Sequence, residues 1–199
     1  MLCSAIVHPD IKEVIPLAPE PIIQQDGCTK NDSELNAIVR DLNNIRIEHP
    51  HLKITVVEDA LYENAPHINL LQELNMEYII SVKEKNHEYL FDAVKNGNCK
   101  EYQIVTKDLT IHKFKYINGV PINYENFNKL VNFIEHWETA KNGNKQYFCW
   151  ITSHPIKDEN VFKLMEGGRA RWSIENETFN TLKNSGYHFE RNFGHGYKN

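Results

Sequence analysis

Arg169-Ala-Arg-Trp-Ser-Ile-Glu-Asn-Glu-Thr-Phe-Asn-Thr-Leu-Lys183 is the stretch on which the fold turns. Gly167-Gly168 stands before it and Gly186 after it, the punctuation expected around a helix. At helical spacing Arg171, Glu175, Phe179 and Leu182 share one face, with Trp172 at its edge. A guanidinium and a carboxylate thus lie on the face that should be buried. Burying charge is costly unless the charge is paired or holds a metal ion. On the helix alone two readings stand: an Arg171–Glu175 surface pair, which stabilises little, or a functional site.

A second segment weighs toward the site. Leu52-Lys-Ile-Thr-Val-Val57 is short, β-branched and apolar, and reads as a buried strand running into Glu58-Asp59-Ala-Leu-Tyr62. Acidic groups just past the carboxyl end of such a strand sit where α/β sheets bind ligands. The plainer reading is that Asp59 caps the following turn. Strand alternation turns Glu58 away from Asp59, and Glu177 lies off the Glu175 face, so neither is a candidate ligand. One acid at a strand end and another on a buried helix face suit a two-metal phosphoryl-transfer centre, since hard cations take carboxylate oxygens.

With these residues in order, the chain resembles the DDE transposases of bacterial insertion sequences, which use an RNase H-like catalytic core. That family carries a signature of Tyr, two residues, Arg, three residues, Glu, six residues, Lys. Arg171 and Glu175 match it with the right gap; Gly168 stands at the Tyr position, and the Lys comes one place late, at Lys183. Val56-Val-Glu-Asp-Ala-Leu-Tyr62 looks like the context of the family's second catalytic Asp, and Trp150-Ile-Thr-Ser153 like its last strand. The resemblance implies an α/β fold: an RNase H-like mixed sheet flanked by helices, with a β-rich insertion at 84–146, before the last strand and catalytic helix. It implies Asp59 and Glu175 as catalytic, metal-ligating carboxylates, and Arg171 and Lys183 as DNA contacts. The cofactor it implies is Mg²⁺ (or Mn²⁺), two ions in an intact site. The partners it implies are DNA at insertion-sequence ends and further transposase subunits, in a bacterial cytoplasm and on the nucleoid when bound to DNA.

The family's first catalytic Asp, in an Asp-x-Thr context, has no match. Asp10 and Asp26 read as turn residues, and Met1–Val7 looks like the second strand of such a core. The expectation is a partial transposase catalytic domain over 1–199, truncated at both ends and impaired in DNA cleavage and strand transfer. The alternative is an inactive remnant, or a regulator that binds DNA or transposase without catalysis. An unrelated metal-dependent nuclease would need another acid near Asp59, for which Asp10 and Glu20 are the early candidates.

The length, 199 residues, suits one sizeable domain. A net charge of −5 argues against a dedicated nucleic-acid module, which would be basic, although the segment from Lys157 onward is slightly positive. Cys3, Cys28, Cys99 and Cys149 form no CxxC pair and fit reduced thiols, with Cys3 and Cys149 in apolar runs. No run is long enough to span a membrane, and the N-terminus does not read as a signal peptide. None of the ten histidines forms an HxxxH or HExxH pair. His188 and His195 read as structural or DNA-facing.

Periodicity predicts strands at 2–7 and 13–18, a helix from Asn31-Asp-Ser-Glu to about Glu48, strand 52–58, helix 66–74 and strand 77–83. Within 84–146, Tyr102–Thr106 and Thr110–Ile117 alternate like antiparallel strands, and Asn118-Gly119 reads as a hairpin turn. Phe127 to Trp137 is apolar at a spacing that leaves helix and strand open. Tyr147–Thr152 reads as a further strand.

Overall fold

The computed structural model describes residues 1–22 and 33–174. Eight strands and four helices alternate along it. Strands β1 (Ala5–His8) and β2 (Ile11–Pro16) form an antiparallel hairpin of their own. Helix α1 (Glu34–Glu48), strand β3 (Thr55–Glu58), helix α2 (Ala65–Glu73), strand β4 (Glu77–Ser81) and helix α3 (Glu88–Asn96) follow. Four long strands, β5 (Lys100–Val105), β6 (Ile111–Pro121), β7 (Leu130–Thr139) and β8 (Lys145–Thr152), then lead to helix α4 (Val161–Ala170).

Strands β3 to β8 make one mixed sheet in the order β3-β4-β8-β7-β6-β5. Only β3 and β4 are parallel, joined by the crossover helix α2. Strands β5 to β8 are a meander of successive antiparallel hairpins, and β8 closes it onto β4 through Ile79↔Thr152 and Ser81↔Trp150.

Alternation along the strands divides the core. On one face Tyr78, Ile80, Val82, Phe133 and Ile151 pack with Ile38 and Leu42 of α1, Ile68 and Leu71 of α2, and Leu90 and Val94 of α3. On the other, Ile79, Phe114, Tyr116, Ile134 and Trp150 pack with Val161 and Met165 of α4. Each fully buried aliphatic side chain of this kind contributes about 2 kcal/mol. This is the helix-flanked mixed sheet expected of an RNase H-like core.

Local chemistry sets the helix ends. The Ser33 hydroxyl caps α1 by accepting the Asn36 N–H, and Asn64 caps α2 by accepting the His67 N–H at 3.0 Å, with Pro66 in its first turn. Arg46, near the end of α1, donates to the carbonyls of Leu74 and Asn75 and to those of His49 and Leu52, which ties the approach to β3 onto the end of α2.

Two expectations are corrected. Gly167 and Gly168 do not precede the last helix: they lie inside α4, which begins at Val161. A β-carbon on Gly168 would meet Nε1 of Trp150 at 2.8 Å, so the missing side chain is what lets the helix approach the sheet. Asn118-Gly119 is not a hairpin turn but a bulge inside β6, where the register slips between Ile117↔Phe133 and Val120↔Val131. Gly119 takes φ 73°, while the Asn118 amide exchanges hydrogen bonds with the backbone of Ile156 ahead of α4. The strand resumes because Val120 and Ile122 are apolar and buried. Within 84–146, residues 88–96 form α3, where Leu90 and Val94, one turn apart, are buried under the sheet.

The apolar run to Trp137 is strand β7. Cys149 is buried and Cys3 partly so, and Cys3, Cys99 and Cys149 are free thiols. Among the described residues no helix is long and apolar enough to cross a membrane.

Candidate functional site

Strand β3 ends at Glu58, whose side chain goes to the α2 face. It is buried, and its Oε2 lies 2.7 Å from Nε2 of His67. Burial pushes the Glu58 carboxyl up, the hydrogen bond and charge of His67 pull it back, and neighbouring Asp59 raises it further. Glu58 is therefore turned away from Asp59, as alternation requires. Asp59 is exposed at the strand end, and its Oδ1 accepts the Leu61 N–H at 2.9 Å. The turn-capping reading of Asp59 is thus realised, and it leaves the carboxylate at the mouth of a cleft.

That cleft, about 850 Å³, runs over the carboxyl ends of β3 and β4 and the middle of β8. Asp59, Ser81, Lys83, Glu84, Lys85, Tyr147, Phe148, Trp150 and Arg171 line it. Asp59 and Arg171, far apart in sequence, therefore face one cavity. Glu175 and Lys183 lie outside the described residues, as do His188 and His195.

Buried Glu63 holds the two loops of the cleft together. It leaves the loop after β3 and accepts the backbone N–H of Lys83 at 2.9 Å, with His87 3.7 Å away. Glu63, Lys83, Glu84 and Lys85 escaped the sequence reading. The signal available was their place just past the ends of two adjacent strands. Asp10 and Glu20, the acids an unrelated nuclease would need, do not line the cleft. Asp10 lies in the β1–β2 turn, and Glu20 pairs with Arg40 at 2.5 Å.

The far wall is built from the meander. On the α4 face Trp150, Phe148, His136, Phe114 and His112 form a run of near-parallel rings across β8, β7 and β6. Phe162 of α4 meets His112 and Phe114 edge-on. Arg169, in the last turn of α4, pairs with Glu138 and lies over the rings of Phe148 and Trp172, at 5.2 and 5.5 Å from their centroids. This clasp fixes the helix end from which Arg171 reaches the cleft. Trp172 packs edge-on against Phe148 but stays 36% exposed, so it is a lid on the row rather than core.

His112, His136 and Glu138 bring nitrogen and oxygen atoms within 4.8 Å of one another, a donor set that could hold a metal ion. Hairpin pairing assembles them from strands 24 residues apart at the histidines, which is why no local motif revealed them. The arrangement as it stands is a hydrogen-bonded network. Nδ1 of His112 and Nε2 of His136 are 3.0 Å apart, with the ring planes 7° from parallel and the centroids 5.2 Å apart. Those values describe two rings meeting edge to edge across one N–H···N bond, with no space for an ion between the nitrogens. The Arg169 guanidinium already neutralises Glu138. Burial, then His112 and Arg169, push the His136 pKa down to about 3, so the ring is neutral, and its Nδ1 has no partner.

The fold is RNase H-like, and its cleft presents an acid at the end of a parallel strand opposite a basic helix end. Residues 17–198 match the transposase DDE domain, and the chain belongs to that family. The family is generally dependent on divalent metal ions, and a transposase domain implies DNA as partner. Comparison with curated proteins gives no match.

Proposed function

We propose that this chain is the catalytic domain of an insertion-sequence transposase, acting on DNA ends by metal-dependent cleavage and strand transfer, and impaired in that chemistry on its own. The observation that carries the reading is the meeting of Asp59 and Arg171 in one cleft. Asp59 is an exposed oxygen donor of the kind hard cations take, and Glu175 is the second ligand in this reading. Two Mg²⁺ or Mn²⁺ ions bound there would stabilise the attacking and leaving oxygens of a phosphodiester. Arg171 would meet a phosphate or Glu175, and Lys183 a phosphate.

The carboxylate count among the described residues supports the impaired reading. Among the described residues only Asp59 and Glu84 line the cleft as acids, and no group of three carboxylates converges there. Among the described residues the β1–β2 hairpin stands apart from the main sheet, and β3 lies at the edge of that sheet. We read 84–146 as an insertion in this core, with β5 to β7 its main content.

The test is binding and cleavage of insertion-sequence ends by the full chain with Mg²⁺ or Mn²⁺. Expected are retention of the DNA at low salt, little or no strand transfer, and loss of any residual cleavage in Asp59→Ala. Robust Mg²⁺-dependent cleavage that survives Asp59→Ala would overturn the site. No binding even at low salt would favour the inactive remnant.

A further inference from the structure

The chain from Asp59 to Asn64 leads from the end of β3 into α2, and Tyr62, Glu63 and Asn64 tie it down. The Tyr62 hydroxyl donates to Glu34 at 2.8 Å, in the first turn of α1. Asn64 caps α2. Both bonds hold the loop to helices that cover the sheet. Glu63 reaches sideways instead, to the loop that follows the neighbouring strand β4.

The Glu63 side chain is buried, at 6% exposure, and both of its oxygens are used. Its Oε2 accepts the backbone N–H of Lys83 at 2.9 Å, and its Oε1 accepts from the side-chain amide of Asn86. Lys83 precedes a single 3₁₀ turn, Glu84–Asn86, and His87 closes that turn with its ring buried 3.7 Å from Oε2. A carboxylate taken out of water is costly, and apolar packing in the same space often stabilises a fold as well or better. What the carboxylate adds is direction: it fixes the loop that carries Asp59 at one distance from the loop that carries Lys83 and Lys85. Asp59, Lys83 and Lys85 all line the cleft.

We propose that Glu63 is a positioning residue: by bridging the loops after β3 and β4 it holds Asp59 so that a hard cation meets its carboxylate in one geometry. Groups that orient a metal ligand from behind are worth about ten- to a hundredfold in metal affinity. Glu63 acts through the loop rather than by touching Asp59, which places it at the lower end of that range. The proposal rests on the metal-site reading of Asp59 above and adds what keeps that carboxylate in place.

The test is Tb³⁺ luminescence on the full chain, sensitised by Trp150, which lines the same cleft, with the melting temperature of each variant measured alongside. Tb³⁺ is a hard cation that takes carboxylate oxygens. Asp59→Ala marks the part of the signal that belongs to the cleft, and Mg²⁺ should displace that part. Glu63→Ala, held below its melting transition, should weaken the Asp59-dependent binding about tenfold. Glu63→Gln should keep most of the affinity, because its amide can accept from Lys83 and donate to Asn86 once the Asn86 amide turns over. A lowered melting temperature in Glu63→Ala with unchanged Tb³⁺ affinity overturns the positioning role and spares the metal reading. Equal losses in Glu63→Ala and Glu63→Gln would assign the effect to charge and overturn it too. If Glu63→Ala does not fold, Asn86→Ala decides at an exposed position: a smaller loss of affinity supports the bridge, and no loss overturns it. Absence of any Asp59-dependent signal in the unaltered chain overturns the metal reading and the positioning role together.

Discussion

The indole of Trp150 lies against Gly168 so closely that a β-carbon there would meet its Nε1 at 2.8 Å and its Cε2 at 2.9 Å. Gly168 occupies the place where the family signature has Tyr, so this chain has filled from the sheet side the space that a helix side chain would take. Alanine at 168 gains up to about 1 kcal/mol of helix propensity. It loses about 1–3 kcal/mol to overpacking against the rigid indole. Gly168→Ala should therefore lower the urea midpoint, and Gly168→Tyr should lower it further. A rise in either midpoint would show that α4 can lift off the sheet at no cost.

Glu58 and His67 stabilise each other beneath the exposed Asp59. Removing His67 strands a buried carboxylate whose Oε1 already lacks a partner. His67→Ala should cost about 3 kcal/mol, and Glu58→Gln added to it should recover part of that loss. Additive losses in the double-mutant cycle would mean that the pair does not interact.

His136 makes stability depend on pH. Its folded pKa, near 3, lies below the ordinary histidine value, so in the window between about 6.5 and 3 the unfolded chain binds the proton and the folded chain does not. Stability from this group is full above that window and falls as pH drops through it, by up to about 1.4 kcal/mol per pH unit. His112, also lowered chiefly by burial, adds in the same direction. Urea titrations at pH 7, 6 and 5 should show the decline, and His136→Leu should flatten it. A slope identical in the variant would place the titration elsewhere.

The same edge-to-edge pair leaves no seat for a transition metal. Excess Zn²⁺ should leave the melting temperature unchanged. A rise that disappears in His136→Leu would show that the rings part to admit an ion.

Arg169 closes the clasp on α4 through Glu138, Phe148 and Trp172. Arg169→Ala should cost about 1–2 kcal/mol and shift the emission of Trp172 toward that of a solvated indole. Arg169→Lys should rescue it poorly, because a point charge cannot lie flat between two rings. Full rescue by lysine would reduce the clasp to a simple ion pair.

Much of the frame was legible in the sequence. Asn31-Asp-Ser-Glu announced the start of α1 and Pro66 that of α2, and the β-branched runs before Glu58 and around Ile80 announced β3 and β4, because these signals are local. Asp59 could be placed at a strand end for the same reason. The misreadings arose where tertiary contacts decide. Asn118-Gly119 has the chemistry of a hairpin turn, yet the apolar residues on either side of it keep pairing with β7, and the turn becomes a bulge. Gly167-Gly168 looks like a helix stop until Trp150 is seen to need the space. The His112–His136–Glu138 network was invisible because only strand register brings it together. Glu175 and Lys183 rest on the signature alone.

The meander has a consequence for the order of folding. Each of β5 to β8 pairs with its neighbour in sequence, so these hairpins close short loops and can form early. Strand β4 must wait for β8, because Ile79 meets Thr152 only after the whole intervening chain has been made. Strand β3 pairs with β4 across the short α2 crossover and is carried onto the sheet with it. The wall that carries Asp59, though it comes earlier in the chain, is thus joined to the sheet last, on a template supplied by the segment that follows it. Substitutions in β6 and β7 should slow refolding, whereas those in β3 should chiefly speed unfolding.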